Sequence, residues 1–193
     1  MAKQYEDQTF ESLQLGDEVL EGVRFDECTF EGCTLDESAL RGCSFVGCTF
    51  RHCAIRGTRL SNCELRDARF EDCSLVGVAW NPSTVSTAFG VPITSMRDCM
   101  LRYSQFADMP LQGVDFSGSV LAGSTFSECN ASKASFARCD LDDVEFTRCN
   151  LAGADFREAV GYGIDIETCR LEKARFSFPE VVNLLQSLDI IID

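Results

Sequence analysis

The chain has 193 residues, enough for one domain or one solenoid, and 45% are hydrophobic, which excludes a disordered polar chain. No apolar run reaches the roughly 18 residues of a membrane span, and the opening MAKQYEDQTFESLQL lacks the basic start and apolar stretch of a signal peptide, so a cytosolic protein without a membrane role is expected. The net charge of −14 disfavours direct binding of a nucleic acid backbone and suits a soluble acidic surface or one made for a basic partner.

From Phe10 to Trp80 every fifth residue is large and apolar, through Leu15, Leu20, Phe25, Phe30 and onward without a gap. A period of five is neither the 3.6 of a helix nor the 2.0 of a flat strand. It fits a chain that turns a corner every five residues, with one large and one small side chain pointing inward on each side. All twelve cysteines lie two residues before such a centre, from Cys28 and Cys33 to Cys149 and Cys169, with Ala, Ser, Val and Thr filling most other such positions. That inward position therefore has little room, and cysteine serves there as a small hydrophobe. Ten of the fourteen glycines lie two residues after a centre, where a corner would strain other residues.

Charge is uneven along this first register. Residues 6–37 hold eleven acids and one base, Arg24. Four sides of five make a coil of twenty, so Glu6-Asp7 is expected to stack under Asp26-Glu27, Asp17-Glu18 to neighbour Asp36-Glu37, and Glu11 to lie under Glu31. Like charges opposite one another on adjacent strands are destabilising, so such columns suggest a use in binding. Residues 41–69 reverse the balance: Arg41, Arg51, Arg56, Arg59, Arg66 and Arg69 stand against Glu64 and Asp67. The middle of the rod is therefore not uniformly acidic.

The stretch NPSTVSTAFGVPITSMR, residues 81–97, breaks the period. Trp80 to the next centre, Leu101, is 21 residues, which a one-residue bulge or an extruded loop of six, eleven or sixteen residues would satisfy. Phe89 lies off the register and is the candidate exposed anchor of such a loop.

The second register runs from Leu101 to Phe176 and fails only at Ala131 and Gly161, so 29 of 31 centres over both registers carry Phe, Leu, Ile or Trp. Phenylalanines recur every twenty residues at 116, 136, 156 and 176 and at 106, 126 and 146. The predicted fold is all-β: a right-handed quadrilateral β-helix of about eight coils over residues 1–178, with the register break at 81–100 and a short C-terminal helix. Columns one strand spacing apart give a rod of roughly 40 Å.

Residues 179–193 change character. Pro179 suits a first helical turn, and Val181, Leu184, Leu185 and Leu188 follow helical spacing. Asp189 to Asp193 reads as a short strand. A coil end is an open sheet edge that needs a cover. The tail is read as that cap, as a dimerisation element using Phe178, Val181, Leu184, Leu185, Leu188 and Ile190, or as both.

Enzymatic chemistry is not expected. The single histidine, His52, falls at an outward corner, and the cysteines have no CxxC spacing that would read as a zinc site. No catalytic residue, metal or cofactor is assigned.

The repeat resembles that of the pentapeptide-repeat family, with Ala-Asp-Phe at 154–156, Cys-Asp-Leu at 139–141 and Cys-Asn-Leu at 149–151. A narrower resemblance is to its topoisomerase-protecting branch, the Qnr-type quinolone-resistance and albicidin-resistance proteins. It is carried by Gly77-Val78-Ala79-Trp80, the irregular stretch that follows, and Tyr162-Gly163-Ile164-Asp165-Ile166 leading to Phe176-Ser177-Phe178-Pro179-Glu180 and the leucine-rich tail. The resemblance implies a homodimer joined through the tail. It also implies binding to DNA gyrase or topoisomerase IV by imitation of DNA, and protection against topoisomerase poisons. On that reading Glu6, Asp7, Asp17, Glu18, Asp26, Glu27, Asp36, Glu37 and Phe89 would meet the partner. B-DNA carries one charge per ~1.7 Å, so ~40 Å of duplex holds roughly 23; 31 acids gross and 14 net charges approach that only if concentrated on some sides. The rival reading is a structural or adaptor rod for an unrelated protein.

Overall fold

The computed structural model describes residues 3–81, 85–86 and 91–188. The chain winds into a parallel β-helix of about eight coils with four sides. Residues twenty apart pair side by side. On side one Gln4–Glu6, Arg24–Asp26, Ser44–Val46 and Cys63–Arg66 form one ladder; on side two Thr9–Glu11, Thr29–Glu31, Thr49–Arg51 and Ala68–Glu71 form another. Side three is held by single bridges, Gln14 to Thr34 to Ala54 to Ser74. Side four starts with Val19–Glu21, Ala39–Arg41 and Arg59–Ser61 and resumes at Ala79–Trp80. Each corner residue lies in the left-handed region, whether it is Gly42 (φ 56°) or a charged residue such as Asp17 (φ 59°).

The core is a set of stacked columns. Successive rings on one side lie parallel, with centroids 4.7 Å apart for Phe30 and Phe50 and 4.5 Å for Phe106 and Phe126. Rings from different sides meet edge to face, as do Phe126 and Phe136 at 5.7 Å and 89°. In the first half the aromatic columns are on sides one and two, through Tyr5, Phe25 and Phe45 and through Phe10, Phe30, Phe50 and Phe70. From Trp80 onward the partner of the side-two column moves to side four, through Phe106, Phe126 and Phe146. Where leucine fills the crossover, a small apolar cavity of about 30 Å³ remains beside Leu60, Leu65 and Trp80.

The cysteines have a physical task at the small inward position. The thiol of Cys33 donates to the carbonyl of Phe10, that of Cys53 to Phe30, and that of Cys139 to Phe116, each 23 residues back. Ser119 and Ser124 make the same bond to Met96 and Leu101. A hydrogen bond satisfies that carbonyl where Cys, Ser or Thr is present, while Val23, Ala68, Val114 and Ala134 at the same position show that small size is the common requirement. All twelve thiols are free and buried.

Two parts of the sequence reading change. First, Phe70 pairs with Met96 and Trp80 with Phe106, so the coil at the break has 26 residues, six more than the others. Of the alternatives, the six-residue insertion is the one present. One added residue is a bulge at Thr94, since Ala68 pairs with Ile93 and Arg69 with Ser95; beyond it Leu101 stacks on Leu75, and Met96 leads into Phe116 on side two. Second, Ile166 is not a centre. Ile164 pairs with Phe146, and Asn150 then pairs with Arg170, which restores the frame. The buried Tyr162 causes the slip: its ring wedges against Phe156 and Phe176 at 5.9 and 5.6 Å. The short C-terminal helix expected after Pro179 is present at Glu180–Leu188 and is a 3-10 helix. Leu184 packs onto the core and Phe178 is exposed. The expected strand at 189–193 lies outside the described residues.

Removing one ring from a column should cost as much as a core cavity. Phe126→Ala is expected to lower the unfolding free energy by ~3–5 kcal/mol in urea titration. A loss below ~1 kcal/mol would contradict a close-packed column.

Candidate functional site

The first two coils concentrate exposed acid. The registers pair Glu6 with Asp26 and Glu11 with Glu31, and the Asp17 amide donates to the Asp36 carbonyl, as the coil of twenty requires. Asp7, Asp17, Glu27 and Glu37 occupy left-handed corners, where the backbone throws the side chain off the edge of the rod. Left-handed backbone costs a non-glycine residue about 1–2 kcal/mol, so these corners trade stability for a displayed carboxylate. Among the described residues no basic side chain lies within 4 Å of Glu6, Asp7, Glu11, Asp17, Glu18, Glu27 or Glu37. The nearest approach to an exception is His52, whose Nδ1 stands 3.9 Å from Glu31.

Two of the predicted acids are different. Asp26 and Asp36 are half-buried and already paired. Arg24 lies 2.7 Å from Asp26, and its guanidinium holds that carboxyl below its ordinary range. Arg56 donates to Asp36 from its side chain and from its backbone amide, with the same effect. These two contribute a neutralised patch, not free charge.

The arginines of residues 41–69 complete the pattern. Arg41 is the ladder neighbour of Glu21, Arg51 lies between Glu31 and Glu71 with its Nε 2.9 Å from Glu71, and Arg56 stands above Asp36. The columns of Glu21, Glu31 and Asp36 thus meet a base in the third coil, whereas that of Glu6 and Asp26 meets Val46. Further along, Arg97–Asp115, Arg148–Glu128 and Arg157–Asp155 pair in turn. Free acid is densest at the N-terminal end, and among the described residues exposed acids with no basic side chain within 4 Å recur further along at Asp72, Asp98, Asp108, Asp143 and Glu158.

The sequence reading missed an apolar stripe on side three. Met100 and Val160 project outward and are exposed, with Val120 half-buried beside Met100 in the same bridge column; Asp140, 3.8 Å from Arg102, separates Val120 from Val160. Tyr103 is 64% exposed at a left-handed corner, its ring lying across Gly123, where a Cβ would stand 2.8 Å from the ring carbons. The twenty-residue recurrence of 100, 120 and 160 carried the signal, one position before each centre. Of the tail residues, Phe178 is 83% exposed, Leu185 exposed, and Val181 and Leu184 half-buried; Leu188 ends the helix. Phe89 and Ile190 lie outside the described residues. Among the described residues no three His, Cys, Asp or Glu side chains are placed to hold a metal ion, and no helix is long and apolar enough to cross a membrane.

A family model described as a pentapeptide repeat region matches residues 23–89 and 101–176. Comparison with curated proteins finds no match. Among solved structures, the chain is similar to QnrB1, a plasmid-mediated fluoroquinolone resistance protein, at 19% identity over 100% of both chains with a TM-score of 0.41. It is also similar to HetL, a pentapeptide repeat protein involved in heterocyst differentiation regulation from the cyanobacterium Nostoc. That match has 14% identity over 90% of this chain and 87% of the other, with a TM-score of 0.49.

Two outcomes follow from the local chemistry. Burial pushes the Cys48 and Cys139 thiols up to about 12, so Ellman's reagent near pH 8 should titrate no fast thiol in the folded chain and twelve after denaturation. Arg56 depresses the Asp36 carboxyl, so the stability from this pair is present above the unfolded carboxylate range and is lost as pH falls through the lower folded value. Asp36→Asn should therefore cost up to ~1 kcal/mol at neutral pH and progressively less as pH falls below ~4, measured by urea titration across that range.

Proposed function

The chain belongs to the pentapeptide-repeat family, and on that footing we propose that it is a non-enzymatic DNA mimic. It binds the positively charged DNA saddle of DNA gyrase or topoisomerase IV and protects the enzyme against a poison. The observation that carries this reading is the zone of free carboxylates on the first two coils, Glu6, Asp7, Glu11, Asp17, Glu18, Glu27 and Glu37, without basic partners. Spaced by coils ~4.8 Å apart, these charges offer a basic surface a regular anionic array, as a phosphate backbone does. The arginines from Arg41 onward confine the imitation to that end.

The protein works as a homodimer joined through the tail. Phe178 and Leu185 supply exposed apolar surface beyond the last coil, and Val181, Leu184, Leu188 and Ile190 complete the element. Tail-to-tail joining puts an acidic zone at each outer end of a rod about 80 Å long, twice the ~40 Å of one chain. Phe89, within the 26-residue coil, is a further contact.

A second reading has its own observation. The apolar patch of Met100, Val120 and Tyr103, which ends at Asp140, suits an adaptor rod that binds another protein by apolar contact.

A supercoiling assay tests the first reading: gyrase inhibited by a fluoroquinolone or by albicidin, with and without the protein. Rescue is expected, and Glu6→Gln/Glu11→Gln/Glu18→Gln should weaken gyrase binding at least tenfold. No rescue together with no binding would sink the mimic. Salt separates the two readings: mimicry predicts binding that falls steeply with salt and is competed by DNA, whereas the apolar stripe predicts neither.

A further inference from the structure

The two ends of the rod are not finished alike. At the C-terminal end Leu171, Phe176 and the helix residue Leu184 pack over the core. At the N-terminal end no element among the described residues covers the first coil. Tyr5, Phe10, Leu13, Leu15 and Leu20, which are inward residues like the buried ones above them, are only half-buried here. They line an open cavity of about 190 Å³ that leads down to Phe25 and Phe30. That is above the ~150 Å³ of an apolar cavity known to take a benzene ring.

Among the described residues the same end is an open sheet edge. The Arg24 amide donates to the Lys3 carbonyl, Thr29 to Gln8, Thr34 to Leu13 and Ala39 to Glu18. One coil earlier, the equivalent amides of Gln4, Thr9, Gln14 and Val19 are directed away from the rod. An edge of this kind templates the addition of another strand.

The rim selects what that strand can be. Glu6, Asp7, Glu11, Asp17, Glu18 and Glu21 are exposed around the mouth, against one base, Lys3, whose Nζ already sits 5.5 Å over the Tyr5 ring. A second copy docked end to end would bring two such acidic rims together. We propose that this end is a docking site for an extended basic segment of a partner protein, which adds as a strand along the first coil and seats one apolar side chain in the cavity.

The geometry sets the motif. A strand paired with Thr9–Glu11 alternates its side chains, so the residue facing the Phe10 column must be apolar while its neighbour stands against the outward Glu11. Opposite charge there is favourable and like charge is not. The recognised pattern is basic, apolar, basic. This docking does not depend on the topoisomerase reading, because any partner exposing such a strand would use it.

Fluorescence anisotropy with labelled Lys-Val-Lys-Phe-Lys-Val-Lys tests the proposal on the full chain. The peptide should bind, more weakly as salt rises. Replacing its lysines by glutamate should abolish binding, and replacing phenylalanine by serine should weaken it at least tenfold. Leu20→Trp, which fills the cavity at the half-buried mouth, should weaken it to the same degree, and Glu6→Gln/Glu11→Gln should flatten the salt dependence. Hydrogen exchange on the unaltered chain is the check that needs no variant: the peptide should slow exchange at the Thr9 or Gln4 amide. Four results overturn the proposal: no binding, equal binding of the serine peptide, no added protection in the first coil, or self-association of the chain that Leu20→Trp abolishes.

Discussion

One constraint governs this molecule: every inward side chain must stack on its counterpart one coil away. The coil is closed by four corners, the strands by hydrogen bonds to the coils before and after, and the interior by columns of rings 4.5 to 6.1 Å apart. Because each coil touches only its neighbours, stability is approximately a sum of nearest-neighbour terms. The regularity of the interior leaves the outward positions free to vary. All chemical individuality is therefore on the surface, at the ends, and in the one coil that departs from twenty.

The electrostatics follow from the same stacking. A residue's neighbour in space is the residue twenty positions along, so charge pattern in the sequence becomes charge pattern along the axis. Glu21, Glu31 and Asp36 are answered by Arg41, Arg51 and Arg56 in the next coil. The first two coils receive no such answer at Glu6, Asp17 or Glu18. The N-terminal zone differs from the rest of the surface in the density of its unpaired acids, which recur singly further along at Asp72, Asp98, Asp108 and Glu158.

The periodicity of Phe, Leu and Cys made the coil, its four sides and the inward thiols legible, since each is repeated many times and a repeated pattern averages out local noise. Single events were harder. The two-residue slip at Ile164 was hidden because Ile166 also satisfies the period, and only the bulk of Tyr162 decides between them. The pairing of Asp26 with Arg24 and Asp36 with Arg56 was in the spacing, but reading it required ranking short-range contacts above the column totals. The stripe on side three was overlooked because Met100 and Val160 sit beside the centres rather than at them.

The six added residues between Trp80 and Met96 have a mechanical meaning. Inserting one five-residue repeat elsewhere would rotate everything beyond it a quarter turn about the axis and send each surface to a new compass direction. The insertion at the break does nothing of the kind: the register is regained after the bulge at Thr94, and Phe70, Met96 and Phe116 remain in one line. This segment is a point where the chain can lengthen or shorten without changing the azimuth of either half, a splice that is torsionally silent.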